Sequence, residues 1–202
     1  MIGGKTISLC TFVLNEEKTL SGMIKSVLPI VDEINILIDD RTSDKTEEVA
    51  RGYTDRIFYA KFVDFADMRN RALRLGTKDY ILMLDADERL LEEELCYLED
   101  LVQNPRYDVW YLTRRCYADL EMKKEISTNP PYPDWQCRLL KNLSQLKYIR
   151  KVHEMISGTD SKGYSYRPTI RHFSYYFKTE EELRQRHQLY CAIIKQDEDH
   201  TY

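Results

Sequence analysis

Asp85 and Asp87, two carboxylates separated only by Ala86, follow directly on an apolar run from Tyr80 to Leu84. A run of that kind reads as a strand buried on both faces, as in a parallel sheet. Ligands of open α/β sheets sit just beyond the carboxyl ends of such strands. The pair therefore stands where a hard divalent cation could be held through one or two carboxylates, with substrate phosphates completing its shell. The competing reading is a solvated strand-to-helix turn, because Asp is common in turns and at helix N-caps. Two other apolar runs end the same way. Asn15 and Glu16 follow Thr6 to Val13, and Asp39 and Asp40 close Ile34 to Ile38. In a parallel sheet these ends share one edge. Carboxylates gathered there could accept hydrogen bonds from a base or ribose and hold a metal bridging a diphosphate. Asp39 to Asp44 also reads as a turn plus a helix cap. The missing glycine and terminal glutamate spacing of an EF-hand argues against a calcium loop.

The elements that must bring those ends together are visible as periodicity. Leu20, Met23, Ile24, Val27 and Leu28 recur at helical spacing, with Asn15 as the expected N-cap and Pro29 as the stop. A helix carrying Val49, Ala50 and Tyr53 follows the polar turn, then a short strand near Arg56 to Tyr59. Phe65, Met68, Ala72, Leu73 and Leu75 mark a further helix, whose other face carries Arg69, Asn70 and Arg74. Leu91, Leu95, Leu98 and Val102 mark another. Strand and helix alternate through this half, which implies right-handed crossovers and a mostly parallel sheet. The pattern changes after Pro105. Val109 to Thr113 reads as a strand, and 119–134, with Pro130, Pro131 and Pro133, as a long loop of the sort that forms lids or binding loops. Trp135 to Leu140 and Tyr148 to Ile156 read as strands paired in a hairpin, and Ile170 to Phe173 as one more. A last helix starts at Thr179, with Leu183, His187, Tyr190 and Ile194 along one face.

The 202 residues suit one large domain, or one domain with a C-terminal appendage. With 30 Lys and Arg against 34 Asp and Glu, the net charge is -4, so no basic footprint points to nucleic acid. The second half does collect Arg, Lys and Tyr that could face an anionic ligand or a membrane surface. The cysteines, Cys10, Cys96, Cys116, Cys137 and Cys191, are odd in number and form no CxxC pair. That argues against a disulfide framework or zinc ribbon and for reduced thiols in a cytoplasmic compartment. No apolar run approaches the ~20 residues of a membrane helix, and no secretory signal opens the chain. Asp197 to Tyr202 hold no helix stop signal, so the chain reads as a piece of something longer.

Several segments, taken in order, carry a resemblance. They are Ser8-Leu9-Cys10-Thr11 with Asn15-Glu16-Glu17, and Val31-Asp32-Glu33-Ile34 leading into Asp39-Asp40-Arg41-Thr42-Ser43-Asp44-Lys45-Thr46. Then come Phe65-Ala66-Asp67-Met68-Arg69-Asn70, Leu84-Asp85-Ala86-Asp87-Glu88, Asp134-Trp135-Gln136-Cys137-Arg138-Leu139 and Val152-His153-Glu154. From Thr6 to Phe173 the chain resembles the family 2 glycosyltransferases, which have the GT-A nucleotide-sugar fold. It is most similar to small non-processive members of the lipopolysaccharide-core type. The resemblance implies a single α/β domain over residues 1–202. A Rossmann-like, mostly parallel sheet flanked by helices would form the nucleotide-sugar half (1–102), a mixed or antiparallel part the acceptor half (103–178), and a helix the C-terminus (179–202).

The same resemblance implies roles. Thr11, Asn15, Glu16, Asp39 and Asp40 would line the nucleoside pocket, and Arg69 would reach the diphosphate or the sugar. Asp85 and Asp87 would be the DxD pair holding Mn²⁺ or Mg²⁺, with Asp87 the direct ligand and His153 or His172 completing the shell. Inversion at the anomeric carbon needs a base on the acceptor side. Glu154, expected at a strand end beside His153, is the first candidate and Asp134 the second. Gln136 and Arg138 would orient acceptor or pyrophosphate. Trp135 and Tyr132 would stack on an acceptor sugar, unless they belong to the core. The chain departs from the QxxRW motif and membrane helices of processive synthases, which implies transfer of a single sugar. Arg41 stands where most relatives carry glycine, adding a cation near the nucleotide. The implied partners are a nucleoside-diphosphate sugar, most often a UDP-sugar, and a hydroxyl of a glycan or glycolipid. Peripheral membrane contact is compatible with this.

Two rivals share parts of the pattern. A nucleotidyltransferase has the same α/β layout and paired carboxylates, but shows a Gly- and Arg-rich phosphate loop where Asn15-Glu16-Glu17 stands. A catalytically silent nucleotide-sugar or glycan-binding module is disfavoured by the presence of both Asp85 and Asp87 and of two candidate bases.

Overall fold

The apolar runs pair into one mixed sheet. β1 (Ile7–Val13) lies between β2 (Glu33–Asp39) and β4 (Tyr80–Met83), parallel to both, and β3 (Ile57–Ala60) adds a further parallel strand beyond β2. Adjacent residues on a strand point to opposite faces. Leu9, Ile36 and Leu82 thus enter the core under α1 (Leu20–Val27) and α4 (Leu95–Gln103). Cys10, Leu37 and Ile81 enter the core under α3 (Phe65–Leu75). Both faces being covered, these strands can be apolar throughout. α2 (Thr46–Arg51) packs Val49 and Ala50 against the first core. The computed structural model describes residues 4–104 and 106–198. Pro105, where the sequence pattern changes, and 199–202 lie outside the described residues.

The second half joins the same sheet. β6 (Val109–Tyr117) pairs parallel with β11 (Lys162–His172), and β8 (Asp134–Lys141) lies between β4 and β6, antiparallel to each. Two short strands, β5 (Glu88–Arg89) and β7 (Glu125–Ile126), pair with β11 and β6. The order is β3-β2-β1-β4-β8-β6-β11-β5. The expected hairpin between 135–140 and 148–156 does not form. Leu139 and Leu140 are fully buried, and such a run belongs in the middle of a sheet. The second stretch is broken by the left-handed residues Arg150 (φ 69) and His153 (φ 55). Its pieces, β9 (Lys147–Ile149) and β10 (Met155–Ser157), pair only with each other. The loop over 119–134 is interrupted by β7. The strand expected at 170–173 starts earlier, at Lys162.

Two helix readings also change. Asn15 does not cap α1: Thr19 holds the N-cap position without a side-chain bond, and Asn15 adopts φ 54 in the preceding turn. The C-terminal segment forms α5 (Ser174–Phe177) and α6 (Glu180–Glu198). Its inward residues are Leu183, Arg186, Tyr190 and Ile193, while His187 and Ile194 are exposed. Among the described residues no helix is long and apolar enough to cross a membrane.

Candidate active site

Parallel pairing puts the C-terminal ends of β1, β2 and β4 along one edge, and the polar turns open there. After β4 the chain folds tightly. The Glu88 amide donates to the Asp85 carbonyl at 2.9 Å, and the Asp85 amide donates to Glu88 Oε2 at 3.0 Å. The Phe173 amide donates to the Asp87 carbonyl at 2.9 Å, and His172 pairs in register with Glu88. Together these bring the end of β11 against the turn. His172 Nε2 lies 3.3 Å from Asp87 Oδ2, and its Nδ1 is 3.2 Å from Cys116 Sγ. Lys178, just after α5, places Nζ 2.7 Å from Glu16 Oε1 and 3.9 Å from Asp87 Oδ2.

The charges of these groups follow. Burial opposes a cation at His172, but Asp87 alongside outweighs it and lifts the imidazole to about 9. Burial opposes an anion at Asp87, yet His172 and Lys178 hold it far below the usual carboxylate range. Burial raises Glu16 despite Lys178. Asp85 is half-buried; burial opposes its charge, but Arg138 and Arg69 together hold it at about 2.

A chain of ion pairs runs through the site. Arg69 bridges Glu154 (2.9 Å) and Asp85 (2.9 Å). Arg138 bridges Asp85 (2.7 Å) and Glu88 (2.9 Å). Arg114 bridges Glu88 (3.4 Å) and Asp134 (2.8 Å). Asp134 Oδ1 also accepts from Gln136 Nε2 at 2.7 Å. Glu154 Oε2, by contrast, accepts from no described residue, and Arg69 Nη1 is buried without a hydrogen-bond partner. Glu154 stands just before β10 rather than at a strand's end. It is held there because the β9–β10 pair is stapled to α3: Asn70 donates to the Tyr148 carbonyl at 2.8 Å and accepts from its amide at 2.7 Å. Arg69 is the next residue on that helix. His153 packs edge-on against Tyr190 of α6 at 6.1 Å and is not the histidine beside Asp87. A left-handed turn holds it there, while β11 delivers His172.

Beyond the ends of β1 and β2, Asn15 Oδ1 accepts from the Ser43 amide at 2.8 Å, and the Glu16 amide donates to Thr46 Oγ1 at 2.7 Å. These bonds lash the turn after β1 to the turn after β2. Thr11 is fully buried within β1. Asp39 is held by Arg41, whose Nε and Nη2 reach its two oxygens at 2.9 and 2.6 Å. The Arg41 guanidinium rests over Phe62 at 4.5 Å. Asp39 and Asp40 both line a cleft of 330 Å³ shared with Ile38, Thr42, Asp44, Glu47 and Tyr59.

The model of the family described as glycosyl transferase family 2 matches residues 8–179. The chain belongs to that family. Its α/β architecture is the GT-A fold of these glycosyltransferases. A TPR repeat-containing protein of Synechococcus elongatus is 27% identical over 180 residues, 84% of this chain and 42% of that protein. An uncharacterized glycosyltransferase of Rickettsia typhi is 28% identical over 106 residues, 51% of this chain and 36% of that protein. The chain thus spans less than half the length of either. Among solved structures, glucosyl-3-phosphoglycerate synthase from Mycobacterium tuberculosis with Mg²⁺ and uridine diphosphate is 22% identical, with a TM-score of 0.47. That match covers 55% of this chain and 44% of the other.

Glu88, Arg114 and Lys178 are site residues to which the sequence reading gives no role. Glu88 carries a signal, as the residue after the Asp pair. Lys178 carries none, since its partner Glu16 is 162 positions away. Among the described residues no cluster of three or more His, Cys, Asp or Glu could cage a metal. Asp87, with His172 once that imidazole gives up its proton to the incoming cation, fits a cation held through one or two carboxylates and completed by substrate phosphates and water.

Proposed function

We propose that this family 2 domain transfers one sugar, with inversion, from a nucleoside-diphosphate sugar to a hydroxyl of a glycan or glycolipid. The donor is a uridine one in the first instance, and Mn²⁺ or Mg²⁺ is required. The observation carrying this reading is the linkage, through Arg69, of the donor-side carboxylate Asp85 to Glu154. Inverting transfer needs a leaving-group side and a base side in fixed relation.

In this reading Asp87 and His172 hold the divalent cation. It would supply Lewis-acid offset of the charge on the departing nucleoside diphosphate. Asp85, whose carboxylate lies between two guanidinium groups, positions Arg69 rather than ligating. The unpartnered Nη1 of Arg69 donates to the donor's diphosphate or sugar. Asn15, Glu16, Asp39 and Asp40 form the nucleoside end. Glu154 takes the acceptor proton through Oε2. Asp134 is the weaker candidate because both its oxygens are committed, to Arg114 and Gln136. Arg138 serves by holding Asp85 and Glu88, and Gln136 by holding Asp134. Trp135 lies edge-on to the exposed Tyr164 and Tyr166 at 5.3 and 5.1 Å. The three form a surface on which an acceptor sugar can stack.

A thermal-shift screen of UDP, GDP, CDP and dTDP, each with Mn²⁺ and with EDTA, tests the reading. A ligand of the folded state alone raises stability by ~2.7 kcal/mol at a hundredfold excess over its dissociation constant. A metal-dependent shift with one of them is expected. No shift with any would overturn it.

A further inference from the structure

The function above leaves the C-terminal segment without a task, yet that segment crosses the site. Lys178 lies between α5 and α6, and its ammonium spans the ends of two adjacent strands. It reaches Glu16 beyond β1 at 2.7 Å and Asp87 beyond β4 at 3.9 Å. Further on, Tyr190 packs edge-on against Phe65 of α3 at 5.0 Å and against His153 at 6.1 Å, and Ile193 is buried. The helix is therefore fastened at both sides of the carboxylate edge. Its inward side carries a second cation, Arg186, whose charge acts on Asp87, Lys178 and Tyr190.

We infer that Lys178 is the cation that receives the donor's diphosphate, with α6 as the strap that holds it over the site. The inference rests on the nucleotide-sugar reading. Three features of the lysine suit the role. It sits between the nucleoside end, marked by Glu16, and the Asp87–His172 pair, which is where a diphosphate joining the two would run. It is a flexible point charge of the kind that binds phosphate, and its side chain keeps 22% exposure. Without a donor it answers two carboxylates that would otherwise repel an anion. With Asp87 engaged by a divalent cation, it loses one of those partners and turns its charge to the phosphate oxygens.

Titration calorimetry with inorganic pyrophosphate and with UDP, each with Mn²⁺, separates the possibilities. Lys178→Met should weaken both by roughly ten- to hundredfold, the range for losing a hydrogen bond to a charged group. Lys178→Arg should restore most of the affinity, and uridine should bind wild type and Lys178→Met alike. Circular dichroism melts identify a variant that fails to fold, in which case Lys178→Arg against wild type, with Glu16→Gln, carries the test. Removing the competing carboxylate should tighten pyrophosphate binding, and weaker binding would count against the lysine. Equal pyrophosphate affinity in wild type and folded Lys178→Met overturns the inference and leaves the nucleotide-sugar reading standing. Failure of wild type to bind either pyrophosphate or UDP overturns both.

Discussion

Arg138 offers the sharpest test of how the site is held. Its Nε donates to Glu88 Oε2 at 2.9 Å, and its Nη2 donates to Glu88 Oε1 at 2.9 Å and to Asp85 Oδ2 at 2.7 Å. Arg138 is 2% exposed and Glu88 fully buried. Arg138→Met keeps most of the side-chain volume but leaves the Glu88 carboxylate with the Asp85 amide at 3.0 Å and a 3.4 Å contact to Arg114, the one cation still paired with it among the described residues. Breaking a buried pair by removing one partner costs about 3–5 kcal/mol, because the surviving charge is uncompensated. For a domain of this size that is a melting point lower by roughly 6–20 °C. Urea unfolding at neutral pH measures it directly, with an unchanged slope showing that the unfolded state is not involved. If the stranded charge is the cause, adding Glu88→Gln should recover part of the loss, with a coupling of about 0.5–3 kcal/mol between the two sites. A loss below about 1 kcal/mol for Arg138→Met, or strict additivity in the double variant, would refute the argument.

Other outcomes follow from the same geometry. Glu154→Gln should bind donor nucleotide normally and lose transfer, while Asp134→Asn should retain most turnover; a reversed pattern in steady-state kinetics would make Asp134 the base. Arg41→Gly removes the guanidinium from Asp39 and leaves Oδ2 clear for a base N–H, while the residue-41 amide still donates to Oδ1; it should lower the UDP dissociation constant by about tenfold in calorimetry, and an unchanged or weaker constant would remove Asp39 from base reading. Glu33 is opposed by burial but held at about 2 by Ser8, Thr77 and Asn35. A depressed carboxylate gives stability that is full above its unfolded value of 4.5 and lost as pH falls through 2. Glu33→Gln should therefore show a flatter acid limb in urea titrations run from pH 7 to 2.

What the sequence discloses is what depends on neighbours along the chain. The three strand ends are visible because apolar runs stop abruptly at Asn15, Asp39 and Asp85, and parallel pairing of β1, β2 and β4 needs nothing further to align them. What it hides depends on pairing between distant segments. β8 follows β6 in the chain but inserts between β4 and β6, and no local pattern of Trp135 to Leu140 specifies that. His153 and His172 look equivalent as residue types, and only the register of His172 against Glu88 separates them. On α6, the sets ending in Ile193 and Ile194 are both helical stripes. The burial of Ile193, with Ile194 left exposed, marks the first as inward, and with it Arg186 in place of His187.

The ion chain from Glu154 to Asp134 has consequences for which end can do chemistry. Buried ion pairs are weak evidence for stability, since apolar replacements of the same volume are often as good. Their effect here is positional. Arg69, Arg138 and Arg114 each grip two carboxylates, so Asp85 and Glu88 are clamped from both sides and cannot move without moving the ends. The two ends differ. Asp134 is saturated by Arg114 and Gln136, so a proton arriving there must displace a donor. Glu154 gives one oxygen to Arg69 and keeps the other clear of described residues. On the proposed reading an incoming hydroxyl can hydrogen-bond to that oxygen with no bond broken, and Arg69 keeps the carboxylate aimed. Arg69 reaches Asp85 with the same guanidinium, so movement of Asp85 shifts Glu154 with it.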